Sequence, residues 1–322
     1  MSHGGGDPRK VVRAALAANL AIACAKFLAA FVSGSAATLA EAIHSLADSG
    51  NQVLLFVGLV LAARPQDERH PFGHAAERYF WPFMVAVMLF TVGGAFSLFE
   101  GVSHLRHPAQ VVRGDFGSWR EGALSSLLVL GVSVVLEAYS CKVALDEFNR
   151  ERGDQRLSRA LFEGRDPTIP LVLLEDFAAL MGLAIAFAAV LVTVLTGDAR
   201  FDALGSIGVG VLLVVVAIFV ARDVHGLLIG EGLTAENLAR AKAALGSAEG
   251  VVRVATMRSL HLGPHEALLG AKIAFDPRYG VAEVEAAIDR AEVALRAAVP
   301  TLKYVYLEPD SDADDPAGPA SS

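Results

Sequence analysis

The sequence predicts an α-helical membrane protein: six transmembrane helices followed by a small cytoplasmic α+β domain in the order α-β-β-α-β. Three observations carry this expectation. Of the 322 residues, 54% are hydrophobic and only 19% charged, and the mean hydropathy is +0.48, far more apolar than an ordinary soluble domain. Apolar stretches recur through residues 11–230, each close to the roughly 20 residues that a spanning helix requires. Beyond Gly230 the pattern breaks up into short elements with alternating helical and strand periodicity.

The six expected spans are 11–32, 38–62, 80–104, 121–143, 170–195 and 204–229. The first lacks a signal-peptide cleavage site and runs on at full length, so it is read as a true span. Orientation follows from Lys and Arg in the short connections. Arg9, Lys10 and Arg13, then Arg64, Arg69 and Arg78, then Arg150, Arg152, Arg156, Arg159 and Arg165 share one side of a six-span arrangement. The opposite side holds no basic residue between Ser33 and Ala37, three in the second connection (Arg106, Arg113, Arg120), and Arg200 in the third. Both termini are therefore expected in the cytoplasm, with residues 1–10 a short tail and 11–230 the membrane domain.

Residues 231–309 form the expected soluble domain. A helix over 234–248 leads into VVRVATMRSLHLG and HEALLGAKIAFD, two strands joined through Gly263 and Pro264. A second helix spans 281–298, with Val284, Ala287, Ile288, Ala291 and Leu295 on one face, and LKYVYLEP supplies a third strand. A domain of this size is near the lower limit for independent stability, so help from dimerisation is expected. Residues 310–322, rich in Asp, Pro and Ser, read as a disordered acidic tail.

Several function classes drop out. Cys24 and Cys141 lie far apart, in or beside spans, and give neither a disulfide framework nor a zinc-thiolate pattern. A net charge of −8 gives no argument for nucleic acid. No G-x-x-x-x-G-K-[ST] loop is present, so ATP is not the driving force, and H-E-x-x-H is absent. Gly205, Gly208 and Gly210 in the last span have an ordinary packing explanation, because small residues let membrane helices approach closely.

What packing does not explain is the stretch AEAIHSLADSGNQ in the second span. His44 and Asp48 are one turn apart on one face, with Glu41 and Asn51 extending the stripe. An ionisable group inside a membrane costs several kcal/mol unless paired or facing a water-filled cavity, so a functional site is the default reading. The fifth span repeats the anomaly with Glu175 and Asp176, which point about 100° apart, so that one can face a site while the other faces a neighbouring helix. Asp176 packed against the second span would complete a His/Asp/Asp cluster. Imidazole plus carboxylate suits a first-row divalent ion such as zinc, manganese, iron or cobalt. Metal and protons would compete for such a pocket, because bare charge in a low dielectric is costly.

Other residues are weaker candidates. Asp67, His70 and His74 have the spacing D-x-x-H-x-x-x-H in a cytoplasmic loop; the competing reading is a turn in which His70 caps the next helix, with Glu77 and Arg78 in helix-end pairing. His261 and His265 flank the turn LGP, where exposed histidines are common. Glu137 lies near the cytoplasmic end of its span, where snorkelling is feasible, and Asp202 starts the last span as a cap.

AEAIHSLAD in the second span, HPFGH followed by Glu77 and Arg78, and FDALGSIGVG opening the sixth together resemble the cation diffusion facilitator transporters, over nearly the whole chain. GRDPTIPLVLLEDFAALMG is similar to the branch that includes animal zinc transporter nine. The resemblance implies a homodimer that exports divalent metal from the cytosol in exchange for protons, with a six-helix transport domain, a cytoplasmic α+β domain of ferredoxin or metallochaperone-like fold, and no prosthetic group. It also implies a metal site of two ligands on the second span and two on the fifth. His44 and Asp48 match the first pair and Asp176 the last position, but Val172 stands where the remaining ligand belongs, leaving Glu175, Asn51 or water to fill it. Asp67, His70 and His74 match a secondary metal site of some members. His261 and His265, with Glu308, fall where members bind regulatory metal.

Short outward hairpins and an Ala-rich composition suggest a bacterial inner membrane. A membrane metal sensor and an intramembrane metalloenzyme stand as the competing functional classes.

Overall fold

The structure is a computed structural model that describes residues 8–33, 36–106, 116–153, 164–198 and 200–310, apart from some side chains within the helices, those of Glu41 and His44 among them. The chain divides into two compact units, Met1–His225 and Gly226–Ser322.

Six long helices run through the described residues of the apolar part: α1 Pro8–Ser33, α2 Ala36–Leu61, α3 Glu77–Arg106, α4 Phe116–Arg152, α5 Thr168–Thr196 and α6 Arg200–Ile229. Each of the six expected spans falls on one of them. By length and apolarity, three are able to cross a membrane among the described residues: Glu77–Arg106, Thr168–Thr193 and Arg200–Ile229.

Local chemistry explains the helix ends. Pro170 sits in the first turn of α5, where its missing N–H leaves no hydrogen bond unmade. Gly197 ends α5 in the left-handed region at φ 72°, and its N–H reaches the Thr193 carbonyl at 2.8 Å, a conformation that costs glycine little. Within α3, residues Leu89–Ala95 widen into a π-helical stretch that contains Gly93 and Gly94, a distortion that recurs at functional sites.

Packing inverts the pattern of a water-soluble bundle. On α2, Ser45, Ser49, Gln52, Leu55 and Leu59 are buried, whereas Leu46, Val53 and Val60 are exposed. Phe99, Leu128 and Val135 are likewise exposed. Apolar side chains on the outside and polar ones within suit a surface covered by lipid. Helices α3 and α6 touch through small residues: a Cβ placed on Gly101 would lie 2.8 Å from the Ile207 backbone nitrogen, and one on Gly210 would lie 2.8 Å from that of Leu98.

The second unit holds α7 (Ala235–Gly246), β1 (Val251–Gly263), β2 (Glu266–Phe275), α8 (Val281–Ala298) and β3 (Leu302–Pro309), in the α-β-β-α-β order expected. β1 and β2 form an antiparallel hairpin with Met257 opposite Ala271, and β3 adds parallel to β2 with Gly270 opposite Tyr306. Alternation along β2 buries Ala267, Leu269, Ala271 and Ile273, which meet Leu245 of α7 and Leu295 of α8 in one core. Thr234 caps α7 by accepting the Asn237 N–H, and the Glu283 carboxylate accepts the Gly280 N–H at the start of α8.

Candidate functional site

The polar residues of the apolar unit converge because their spacings each fit one helix face. On α2, Ser45, Asp48 and Gln52 follow the i, i+3, i+7 pattern, with Asn51 beside them. On α4, Ser133, Glu137 and Ser140 share one face at i, i+4, i+7. On α5, Glu175 and Asp176 point in different directions, as the helical angle requires. Eight of these nine side chains are buried, and Asp48 is half-buried.

Glu175 is held across to α2. Its Oε1 accepts Asn51 Nδ2 at 2.8 Å and its Oε2 accepts Gln52 Nε2 at 3.0 Å. Asp176 turns instead to α4, where its Oδ2 accepts Ser140 Oγ at 2.8 Å. Of the adjacent pair it is thus Glu175 that bonds to the second helix. Asp48 lies within electrostatic reach of both Glu175 and Asp176, and Glu137 within reach of Glu175.

Two small cavities open at this junction. One, of about 70 Å³, is lined by Ser45, Asp48, Glu137, Gly182 and Val209 among others. The second, of about 30 Å³, is lined by Asp48, Asn51 and Glu175 together with Leu89 and Gly93 of the π-helical stretch. Asp48 faces both. Such oxygen donors in a confined space suit a cation or ordered water.

The side chain of His44 lies outside the described residues; its position on α2 is one turn before Asp48. Val172 is fully buried one turn before Asp176 and offers no donor atom. Glu137 is 5% exposed and lines a cavity with Asp48, which differs from the snorkelling position read from its place in the span. The signal that could have found it is the serine pair at i−4 and i+3 on the same face.

In the loop between α2 and α3, the structure brings Asp67, His70 and His74 together, with one ligand atom from each inside 4.8 Å of the others. Asp67 Oδ1 accepts the backbone N–H groups of Arg69 at 2.9 Å and His70 at 2.7 Å, and lies 3.0 Å from His70 Nδ1. Asp67 Oδ2 lies 3.2 Å from His74 Nε2. These contacts, the His70 backbone N–H foremost, hold the Asp67 carboxyl down at about 2. Among the described residues this is the single group of three that meets the distance. Next to it, Glu77 accepts Trp81 Nε1 at 2.8 Å and Arg78 pairs with Asp166, both helix-end contacts.

The histidines of the second unit are not drawn into such a group. His261 is buried with Nδ1 3.4 Å from the Gly263 carbonyl, His265 is exposed, and Glu308 lies 3.8 Å from Lys272 Nζ.

Comparison with known proteins gives a consistent picture. The model of the cation efflux transmembrane domain matches residues 12–229. The human protein named proton-coupled zinc antiporter SLC30A9, mitochondrial, is 33% identical over 273 residues, covering 84% of this chain and 46% of its own length. Metal tolerance protein C4 of Arabidopsis thaliana is 30% identical over 83% of this chain and 57% of its own. The magnetosome protein MamM of Paramagnetospirillum magneticum is 28% identical over 41% of this chain and 40% of its own. The chain therefore spans about half the length of the curated relatives it matches. Among solved structures, a nickel form of the MamM C-terminal domain aligns to 23% of this chain and 94% of its own at 16% identity, with a TM-score of 0.22.

Proposed function

This chain belongs to the cation efflux family, and on that footing we propose that it is a secondary transporter, not an enzyme, which moves divalent transition-metal cations out of the cytosol in exchange for protons. The observation that carries the proposal is the junction of α2, α4 and α5, where Asp48, Glu137 and Glu175 line two cavities inside an apolar helical unit and the buried Asp176 is bonded to Ser140 beside them. Six spans and two cytoplasmic termini complete the arrangement, in a bacterial inner membrane by the composition argument; the animal relatives are designated mitochondrial.

The mechanism follows from charge. Carboxylates buried in a low dielectric need a counter-charge. A divalent cation supplies it while bound at Asp48 and Asp176, with His44 one turn away on α2. When the cation leaves, protons take its place. If the pocket opens alternately to the two sides, this competition links metal moving outward to protons moving inward, and binding stays weak enough for release. Zinc is the first cargo to test, since the relatives at 33% identity are named zinc antiporters; the oxygen-rich donor set keeps manganese, iron and cobalt in the comparison. The 231–309 domain serves as the dimer contact.

Proteoliposomes carrying a pH-sensitive dye test the exchange. Zinc moving one way should drive protons the other way, and zinc flux with no proton counterflow would remove the antiport step. A second reading draws on the preassembled loop cluster of Asp67, His70 and His74: a membrane metal sensor that binds and signals. It predicts metal binding with no flux under any gradient.

A further inference from the structure

We propose that Asn51 is a cargo-binding residue, its amide oxygen standing in for the ligand missing at Val172, and that Glu175 is a positioning residue that aims it; this rests on the transport reading above.

An amide NH₂ donates and a carboxyl oxygen without a proton accepts, and the structure sets an NH₂ group against each Glu175 oxygen. Glu175 meets two amides, one on each oxygen. Both are thereby turned so that their carbonyl oxygens point away from Glu175. Asn51 is 4% exposed and Gln52 is 0% exposed, and Asn51 Oδ1 and Gln52 Oε1 are buried acceptors with no hydrogen-bond partner. Buried acceptors are nearly always satisfied, because leaving one unpaired forfeits its desolvation energy. Of the two orphaned carbonyls, that of Asn51 belongs to a residue lining a cavity, and something electropositive belongs opposite it.

Asn51 lines the cavity of about 30 Å³ together with Asp48 and Glu175, above the roughly 10–15 Å³ that one water needs. A divalent cation that has shed part of its hydration fits there, with Asp48 supplying charge and Asn51 a neutral oxygen. With both its oxygens already engaged by amides, Glu175 is the least available of the nearby carboxylates. A neutral amide ligand in place of imidazole nitrogen also hardens the site, which favours manganese relative to zinc compared with a nitrogen-rich one.

The test uses the full chain in detergent, with Asp67, His70 and His74 changed to alanine so that the loop contributes nothing. Mn²⁺ and Zn²⁺ are added singly and their dissociation constants measured, and Co²⁺ absorption reports the ligand field. Asn51→Leu should weaken Mn²⁺ binding by about 10- to 100-fold and alter the Co²⁺ bands, while Asn51→Asp, which keeps an oxygen in place, should bind. Glu175→Gln should reproduce the Asn51→Leu spectrum, and the double variant should be no weaker than Asn51→Leu alone, since Glu175 acts through Asn51. Additive losses would make Glu175 a ligand in its own right and overturn the assignment. So would Asn51→Leu binding Mn²⁺ like the parent chain, or Asn51→Asp failing as completely as Asn51→Leu. Failure of the parent chain to carry any metal across proteoliposomes would instead overturn the transport reading.

Discussion

Replacing Arg78 by alanine should loosen the helix that carries Glu175 and Asp176. Arg78 lies in the first turn of α3 and its guanidinium pairs with Asp166, whose side chain is 6% exposed against 16% for Arg78. The other carboxylate oxygen of Asp166 accepts the backbone N–H of Thr168 at 3.1 Å, at the first residue of α5. One carboxylate thus anchors the start of α5 and joins it to α3. Removing the partner of a buried ion pair costs about 3–5 kcal/mol, because the remaining charge keeps its desolvation cost. Arg78 retains some contact with solvent, so the lower end, about 3 kcal/mol, is the expectation for Arg78→Ala. For a unit the size of Met1–His225 that corresponds to a fall in melting temperature of roughly 6–12 °C, measurable by tryptophan fluorescence on heating in detergent. Adding Asp166→Asn should recover part of the loss, since the neutral amide can still accept from Thr168 without leaving a bare charge. A melting temperature unchanged within about 1 °C in Arg78→Ala would refute the reasoning.

Three further outcomes follow. Gly101→Ala should cost about 1–3 kcal/mol, because its Cβ would meet the Ala203 carbonyl at 2.9 Å and the Ile207 nitrogen at 2.8 Å, backbone atoms that cannot swing aside; thermal unfolding checks it, and a silent Gly101→Ala would mean that α3 and α6 do not pack this closely. The Asp67 carboxyl is lowered from its ordinary 3.8 to about 2, so its hold on the loop is present above the ordinary value and fades only as pH falls through about 2. Asp67→Asn, which keeps the backbone acceptor, should preserve the turn in amide-exchange measurements while weakening metal binding at the loop at least about tenfold. Val172→His returns nitrogen to a buried position one turn before Asp176, and competition flux should move toward zinc over manganese; an unchanged preference would mean that this position lies outside the cargo's coordination.

The sequence carried some of this because each element is bounded by its own chemistry. The strand Val251–Gly263 ends at Gly263 and Pro264, and α8 begins after Gly280, both visible as turn residues. The face shared by Asp48 and Asn51 is set by the 3.6-residue period alone. Partners across space were not legible. The amide clamp joins residues 124 and 123 positions apart, and periodicity says which way a side chain points without saying what it meets. Glu137 was read from its place along the span, whereas its burial depends on how α4 lies beside its neighbours. The π-helical stretch at Gly93 and Gly94 had no periodic signature, since it is a break in the period.

The central claim is that Asp48 and Asp176 bind the transported cation. The direct measurement is zinc uptake into proteoliposomes under an opposing pH gradient, with the parent chain compared against Asp48→Ala and Asp176→Ala reconstituted in equal amounts. The account predicts flux in the parent chain that rises with the gradient and is lost in both variants. Gradient-driven flux that persists in either variant, or its absence from the parent chain, would contradict it.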